Sequence, residues 1–181
     1  MAHAATSPFL VGIDGCSAAG KSTLARFIQT HLPAVTIVHG DDFYRVMDEE
    51  ARAALDAAGG YELYYDWQRL RNEVLEPLSY KQSALYQRRN WSTGQLGAWV
   101  EIQPQGVIVI EGVYTMRPEL RAFYDIAIFV ETSFSLRMCR QAERTYPSDW
   151  VARWEAAEAY YLDHHRPQTH ANFIILGESP G

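Results

Sequence analysis

Apolar residues along the chain fall into short unbroken runs, separated by longer stretches in which they recur every three or four positions. The run Phe9 to Ile13 carries no charge and reads as a buried strand. Beyond a glycine-rich interval, Leu24, Phe27, Ile28 and Leu32 return at helical spacing, which predicts a helix opening near Lys21. Val35 to His39 is a second, β-branched strand. Val107 to Ile110, apolar throughout, is the strongest strand; Ile126 to Val130 and Phe173 to Leu176 supply two more. Met47 to Ala58 reads as an acidic, alanine-rich helix ended by Gly59-Gly60, with Tyr61 to Tyr65 an aromatic connector. Asp66 stands as the N-cap of a helix carrying Leu70, Val74, Leu75 and Leu78, which Pro77 should end or kink. Val151, Trp154, Ala157 and Tyr161 give a helix from Trp150 to His165 an apolar side.

Strands alternating with helices imply a parallel sheet covered on both faces. The expected fold is α/β with a five-stranded, mainly parallel sheet. The G-x-x-x-x-G-K-[ST] stretch from Gly15 to Ser22, between its first strand and first helix, makes that fold one of P-loop nucleoside triphosphate hydrolase type. Ser83 to Glu101 has a different texture. Leu85-Tyr86 and Ala98-Trp99-Val100 look like two short strands joined by QRRNWSTGQLG, a small hairpin excursion spanning 83–101. Arg88, Arg89 and Trp91 at its tip either face solvent or wall a substrate pocket. With no internal repeat and no low-complexity linker, residues 1–181 read as a single domain.

The chemistry is concentrated between the first strand and the first helix. Gly15-Cys16-Ser17-Ala18-Ala19-Gly20-Lys21-Ser22, followed by Thr23, fits the phosphate-binding pattern G-x-x-x-x-G-K-[ST]. Main-chain N–H groups of the first helical turn lack internal partners, so they face an anion, and the helix dipole adds to the attraction. Lys21 supplies a cation for the β- and γ-phosphates, and the Ser22 hydroxyl is placed to ligate Mg²⁺. The stretch therefore binds a nucleoside triphosphate, ATP being the expected donor.

Two further acidic points lie at strand ends, where ligands of open α/β sheets gather. Asp41-Asp42 follows the second strand; neighbouring side chains of an extended segment diverge, so one acid faces the site and the other the metal or a neighbouring loop. Glu111 closes the strongest strand, a position suited to a second Mg²⁺ ligand or water-holder beside Ser22. Arg137, Arg140 and Arg144 share a helix face, an expensive clustering unless an anion visits. His164, His165 and His170 lack a completing thiolate or carboxylate and read as a wet helix end.

Composition narrows the partners. The chain has 48% hydrophobic and 21% charged residues and a net charge of −6, which argues against a general nucleic-acid binder. Its two cysteines are too few for a disulfide framework. No stretch is apolar for long enough to span a bilayer, and the N-terminal MAHAATSPFLVG lacks a cationic leader region, so a cytoplasmic location is expected. A homo-oligomer is compatible with all of this.

Taken in order, GIDGCSAAGKST, DDFY (41–44), YDW with its leucine-rich helix, the LY of the hairpin, VIVIEG and the spaced arginines resemble the uridine kinase and phosphoribulokinase group of P-loop kinases. The resemblance reaches Tyr161, Pro167 and Ala171-Asn172 and so covers nearly the whole chain. It implies that Asp41 is the aspartate accepting the proton of the hydroxyl being phosphorylated. It also implies that Tyr44 and Asp66 line the acceptor site, that Tyr86 packs on the acceptor, that Glu111 is the acid near Mg²⁺, and that Arg137, Arg140 and Arg144 close over the phosphates. The chain departs from the family pattern in places. Asn90 and Trp91 stand where pyrimidine nucleoside kinases place a histidine, Thr145-Tyr146-Pro147 replaces a run of Asp, Arg and Gly, and Asn172 replaces a common aspartate.

The expectation is an ATP- and Mg²⁺-dependent kinase acting on a hydroxyl of a small molecule, a nucleoside or riboside above all. Asp42, Tyr44, Asp66, Tyr86, Arg88 and Trp91 would serve the acceptor. A nucleoside monophosphate kinase would instead use Arg45, Arg88 and Arg89 to hold an acceptor phosphate. A GTPase-like switch is disfavoured because no N-K-x-D guanine motif occurs. A nucleotide-dependent interaction protein without catalysis would hydrolyse ATP and phosphorylate no acceptor.

Overall fold

A computed structural model describes residues 7–144 and 147–177. The start of the N-terminal segment, residues 1–6, and the Thr145-Tyr146 departure lie outside the described residues. Five strands form one sheet: β1 (Phe9–Asp14), β2 (Val35–His39), β5 (Val107–Glu111), β6 (Ile126–Glu131) and β7 (Phe173–Leu176). Their order is β2-β5-β1-β6-β7, and every pairing is parallel. The period-two alternation of β1 sorts its side chains to two cores. Leu10 packs on one face with Ile108, Ile110, Leu70, Val74, Leu75 and Leu78. Val11 and Ile13 pack on the other with Val109, Ala25 and Ile128.

The helices are α1 (Lys21–His31), α2 (Glu49–Ala53), α3 (Ala57–Leu63), α4 (running through Trp67–Arg69, Leu70–Leu75 and Glu76–Ser79), α5 (Phe134–Ala142) and α6 (Ser148–His165). Two expectations are corrected here. The single helix expected from Met47 to Ala58 is two, each with its own aspartate cap: Asp48 accepts from the Glu50 and Ala51 N–H groups, and Asp56 from that of Gly59. Gly59-Gly60 therefore lies inside α3 and does not end a helix. A Cβ on Gly60 would meet the Tyr64 ring at 2.7 Å and the Ala157 Cβ at 3.0 Å, so its absence lets α3 pack closely on α6. The second correction concerns Gly40–Phe43, which is a 3₁₀ turn where the sequence predicts an extended segment.

Asp66 caps α4 by accepting from the Arg69 N–H at 3.2 Å. The middle of α4 is a π-helical stretch, and Pro77 falls near the start of its last segment, which ends at Ser79. The hairpin strands, β3 (Ala84–Asn90) and β4 (Gln95–Ile102), are longer than expected and form a separate antiparallel pair. A third, aromatic cluster of Tyr44, Tyr61, Tyr64, Tyr114 and Tyr161 ties the segments after β2 and β5 to α6.

Candidate active site

The phosphate loop is fixed from beneath before any ligand arrives. Asp14, at the end of β1, is fully buried and accepts from the N–H groups of Gly15 (2.6 Å), Tyr114 (3.2 Å) and Met116 (2.7 Å) and from the Tyr161 hydroxyl (2.7 Å). Burial raises its carboxyl above the ordinary range, against the pull of these donors and of Lys21. Gly15 has φ +148°, and a Cβ there would lie 2.5 Å from the Val130 carbonyl oxygen. The chain then enters α1 through Gly20 with no side-chain cap, so the first-turn N–H groups stay available to an anion.

A cleft of about 740 Å³ opens above the loop. Ser17, Ala18, Gly20, Lys21, Ser22 and Thr23 line it, whereas Gly15, Cys16 and Ala19 do not. Lys21 donates to the Cys16 carbonyl at 2.9 Å. At the ends of β2 and β5, Glu111 accepts from the Ser22 hydroxyl at 3.1 Å and pairs with His39 at 2.6 Å. Burial works against the Glu111 charge, yet the His39 hydrogen bond and the Lys21 charge hold its carboxyl below the ordinary range. That same bond raises His39. Hard oxygens from Ser22 and Glu111 suit Mg²⁺, which takes one or two protein ligands and completes its shell with phosphate and water. No cluster of three or more His, Cys, Asp or Glu residues able to hold a metal occurs among the described residues.

The two adjacent aspartates have different surroundings. Asp41 lines the cleft and accepts from the Tyr65 hydroxyl at 3.2 Å. Its side chain is open to the cleft, yet the protein packed around it, with the Glu111 charge adding, raises its carboxyl above the ordinary range. Asp42 turns to the hairpin, where the Tyr86 hydroxyl donates to it at 3.1 Å and Arg88 lies at 3.5 Å. Tyr86 is buried, stacked on Phe43 at 5.0 Å, and its hydroxyl is pushed up to about 12 by burial and the Asp42 charge. Of the acceptor-side candidates, only Trp91 lines the cleft. It stacks on buried Tyr44 at 5.2 Å, and Asp66 is turned to its capping role and to Arg45 at 3.4 Å.

The three arginines also divide, and Arg144 lies past the end of α5 rather than on the helix face that its spacing predicts. Arg140 and Arg144 line the cleft, and Arg140 donates to the Ala18 and Gly177 carbonyls at 3.2 and 2.7 Å. Arg137 is buried outside the cleft wall, bonded to both oxygens of Glu155 at 2.7 and 2.9 Å. It also meets Glu158, 3.5 Å away.

Sequence reasoning missed Asp14, Tyr65 and Glu158. Glu158, buried on α6, accepts from the Ser17 N–H at 3.0 Å and from the Ser17 hydroxyl, so it grips the phosphate loop from outside. Burial raises its carboxyl, against the Ser17 hydrogen bonds. The signal was present: Glu158 follows Trp154 by four positions and precedes Tyr161 by three, an acid on the apolar face of a helix.

A family model described as Phosphoribulokinase / Uridine kinase family matches residues 10–159. A uridine kinase of Halobacterium salinarum is 30% identical over 176 residues, covering 92% of this chain and 74% of that protein. A uridine kinase of Limosilactobacillus reuteri is 27% identical over 176 residues, covering 90% of this chain and 76% of its own length. Among solved structures, a possible uridine kinase from Bacillus stearothermophilus superposes with a TM-score of 0.73 at 24% identity, over 96% of this chain and 91% of that one, which shows a shared fold.

Proposed function

Because the chain belongs to the phosphoribulokinase/uridine kinase family, we propose that it is an ATP-dependent kinase that phosphorylates a hydroxyl of a nucleoside or related riboside in the cleft above the phosphate loop. The observation that carries this reading is Asp41 in the same cleft as Lys21 and Ser22. The loop amides and Lys21 would hold the triphosphate. Ser22 and Glu111 would hold Mg²⁺, which supplies charge neutralisation at the phosphate oxygens when bound.

Phosphoryl transfer needs positioning and charge stabilisation more than covalent help. The acceptor oxygen attacks the γ-phosphorus, the bond to the bridging oxygen of ADP breaks, and Asp41 takes the hydroxyl proton. Arg140 and Arg144, which line the cleft, would meet charge developing between donor and acceptor. We treat 1–181 as one kinase domain, with the hairpin serving the acceptor. No helix of the described residues is long and apolar enough to cross a membrane.

The test is a screen of nucleosides, ribosides and sugar alcohols with ATP and Mg²⁺, scored by mass spectrometry for an added phosphate. One acceptor phosphorylated by the wild type and not by Lys21→Ala is the expected result. ATP hydrolysis with no acceptor phosphorylated across the panel contradicts it.

A further inference from the structure

His39 and Glu111 end two neighbouring parallel strands, β2 and β5, and the register sets them side by side. The backbones that follow are in contact. A Cβ on Gly40 would meet the Gly112 Cα at 3.0 Å and the Glu111 carbonyl oxygen at 3.1 Å, so the two strand ends cannot be wedged apart by a side chain there. His39 Nδ1 lies 2.6 Å from Oε1 of Glu111. A carboxylate only accepts, so Nδ1 carries the proton of this bond. Asp41 and Asp42 stand two and three residues beyond His39, yet they accept from the hydroxyls of Tyr65 and Tyr86 instead.

The donors on Glu111 are unevenly placed. The Ser22 hydroxyl also reaches Oε1, at 3.1 Å, whereas Oε2 accepts no hydrogen bond from the described residues. Two donors from separate elements, α1 and β2, thus hold one oxygen and leave the other to the cleft, which Ser22 and Glu111 both line. Ser22 directs its proton at Glu111, so the lone pairs of its oxygen stay available to a cation. His39 does not line the cleft and meets no reacting group itself. Without it, the carboxylate would keep one bond, from a rotatable hydroxyl, and its broad terminal torsion would be free to turn.

Resting on the kinase reading above, we propose that His39 is a positioning residue for the Mg²⁺ site: its Nδ1–H fixes the Glu111 carboxylate so that Oε2 is left for the cation beside Ser22. Groups that hydrogen-bond to a metal ligand set its orientation, and removing one typically weakens metal binding by about 10- to 100-fold. A neutral imidazole with its proton on Nδ1 makes this bond as a charged one does, so the role does not require His39 to be charged.

The test needs no acceptor. The affinity for the β,γ-imido analogue of ATP is measured by calorimetry with saturating Mg²⁺ and again with EDTA. By linkage, the ratio of the two equals the factor by which the protein strengthens Mg²⁺ binding to the nucleotide. His39→Leu should lower this ratio about tenfold and leave the Mg²⁺-free affinity unchanged. His39→Asn, whose amide N–H replaces Nδ1–H, should keep most of the wild-type ratio. In a Glu111→Ala background, His39→Leu should have no further effect. An unchanged ratio in His39→Leu, an equal loss with and without Mg²⁺, or a full loss in the Glu111→Ala background overturns the positioning role. With a confirmed acceptor, His39→Leu should raise the Mg²⁺ concentration for half-maximal rate, with kcat largely recovered at high Mg²⁺. A kcat loss that Mg²⁺ does not restore also overturns it. If no acceptor is phosphorylated, the kinase reading fails while the binding ratio still decides the role of His39. If the wild type does not bind the analogue, both readings fail.

Discussion

The phosphate-loop side and the hairpin side of the cleft are built in opposite ways. Around the phosphate loop, Asp14 gathers four donors and Glu158 holds Ser17 through two, so the loop is fixed by partners inside the protein. Around the hairpin tip, long side chains from three separate segments converge on Tyr44 and leave N–H groups without partners. The first arrangement suits a ligand whose triphosphate never varies. The second is built from side chains whose hydrogen bonds do not involve the loop.

Breaking the reacting group should have the largest effect. Asp41→Asn should lower kcat by about 10²- to 10⁴-fold with acceptor KM largely kept. Because the Asp41 carboxyl is raised above the ordinary 3.8, activity should fall as pH drops through that raised value, where the base becomes protonated. That acidic limb should be absent from the residual rate of Asp41→Asn. A pH–rate profile of both proteins checks this. Asp42→Asn should act through Tyr86 and Arg88, raising acceptor KM without a change in Mg²⁺ dependence.

Lys21→Ala comes next, with kcat/KM for ATP reduced by about 10²- to 10³-fold, since it removes one cation preorganised for the phosphates. Glu158→Ala should raise ATP KM about tenfold, the equivalent of about 1.4 kcal/mol, by freeing Ser17 while acceptor KM holds. Steady-state kinetics with each substrate varied in turn measures both. An equal rise in the two KM values would mean that Glu158 serves the fold rather than the loop.

The donor side was legible in the sequence because its parts are local. Strand, glycine turn, Lys21 and Ser22 occupy one short stretch, and Glu111 ends the strongest apolar run. The parallel sheet followed from the same runs, although the Gly59-Gly60 pair misled by suggesting a helix end where it permits helix contact. The hairpin side was less legible because its members come from distant segments. Tyr86 and Asp66 were assigned to the acceptor by resemblance, yet Tyr86 is buried on Phe43 and Asp66 caps α4. Glu158 and Asp14 act through burial and long-range partners, which spacing along the chain does not reveal.

The division itself is tested most directly by Trp91→Ala, with ATP KM and acceptor KM measured side by side on a confirmed acceptor. Trp91 belongs to the hairpin and stacks on Tyr44, while it lines the same cleft as Lys21. The account predicts a rise of about tenfold in acceptor KM, comparable to losing one stacked aromatic contact, with ATP KM unchanged. A change in ATP KM that leaves acceptor KM untouched would place the hairpin on the donor side and contradict the account.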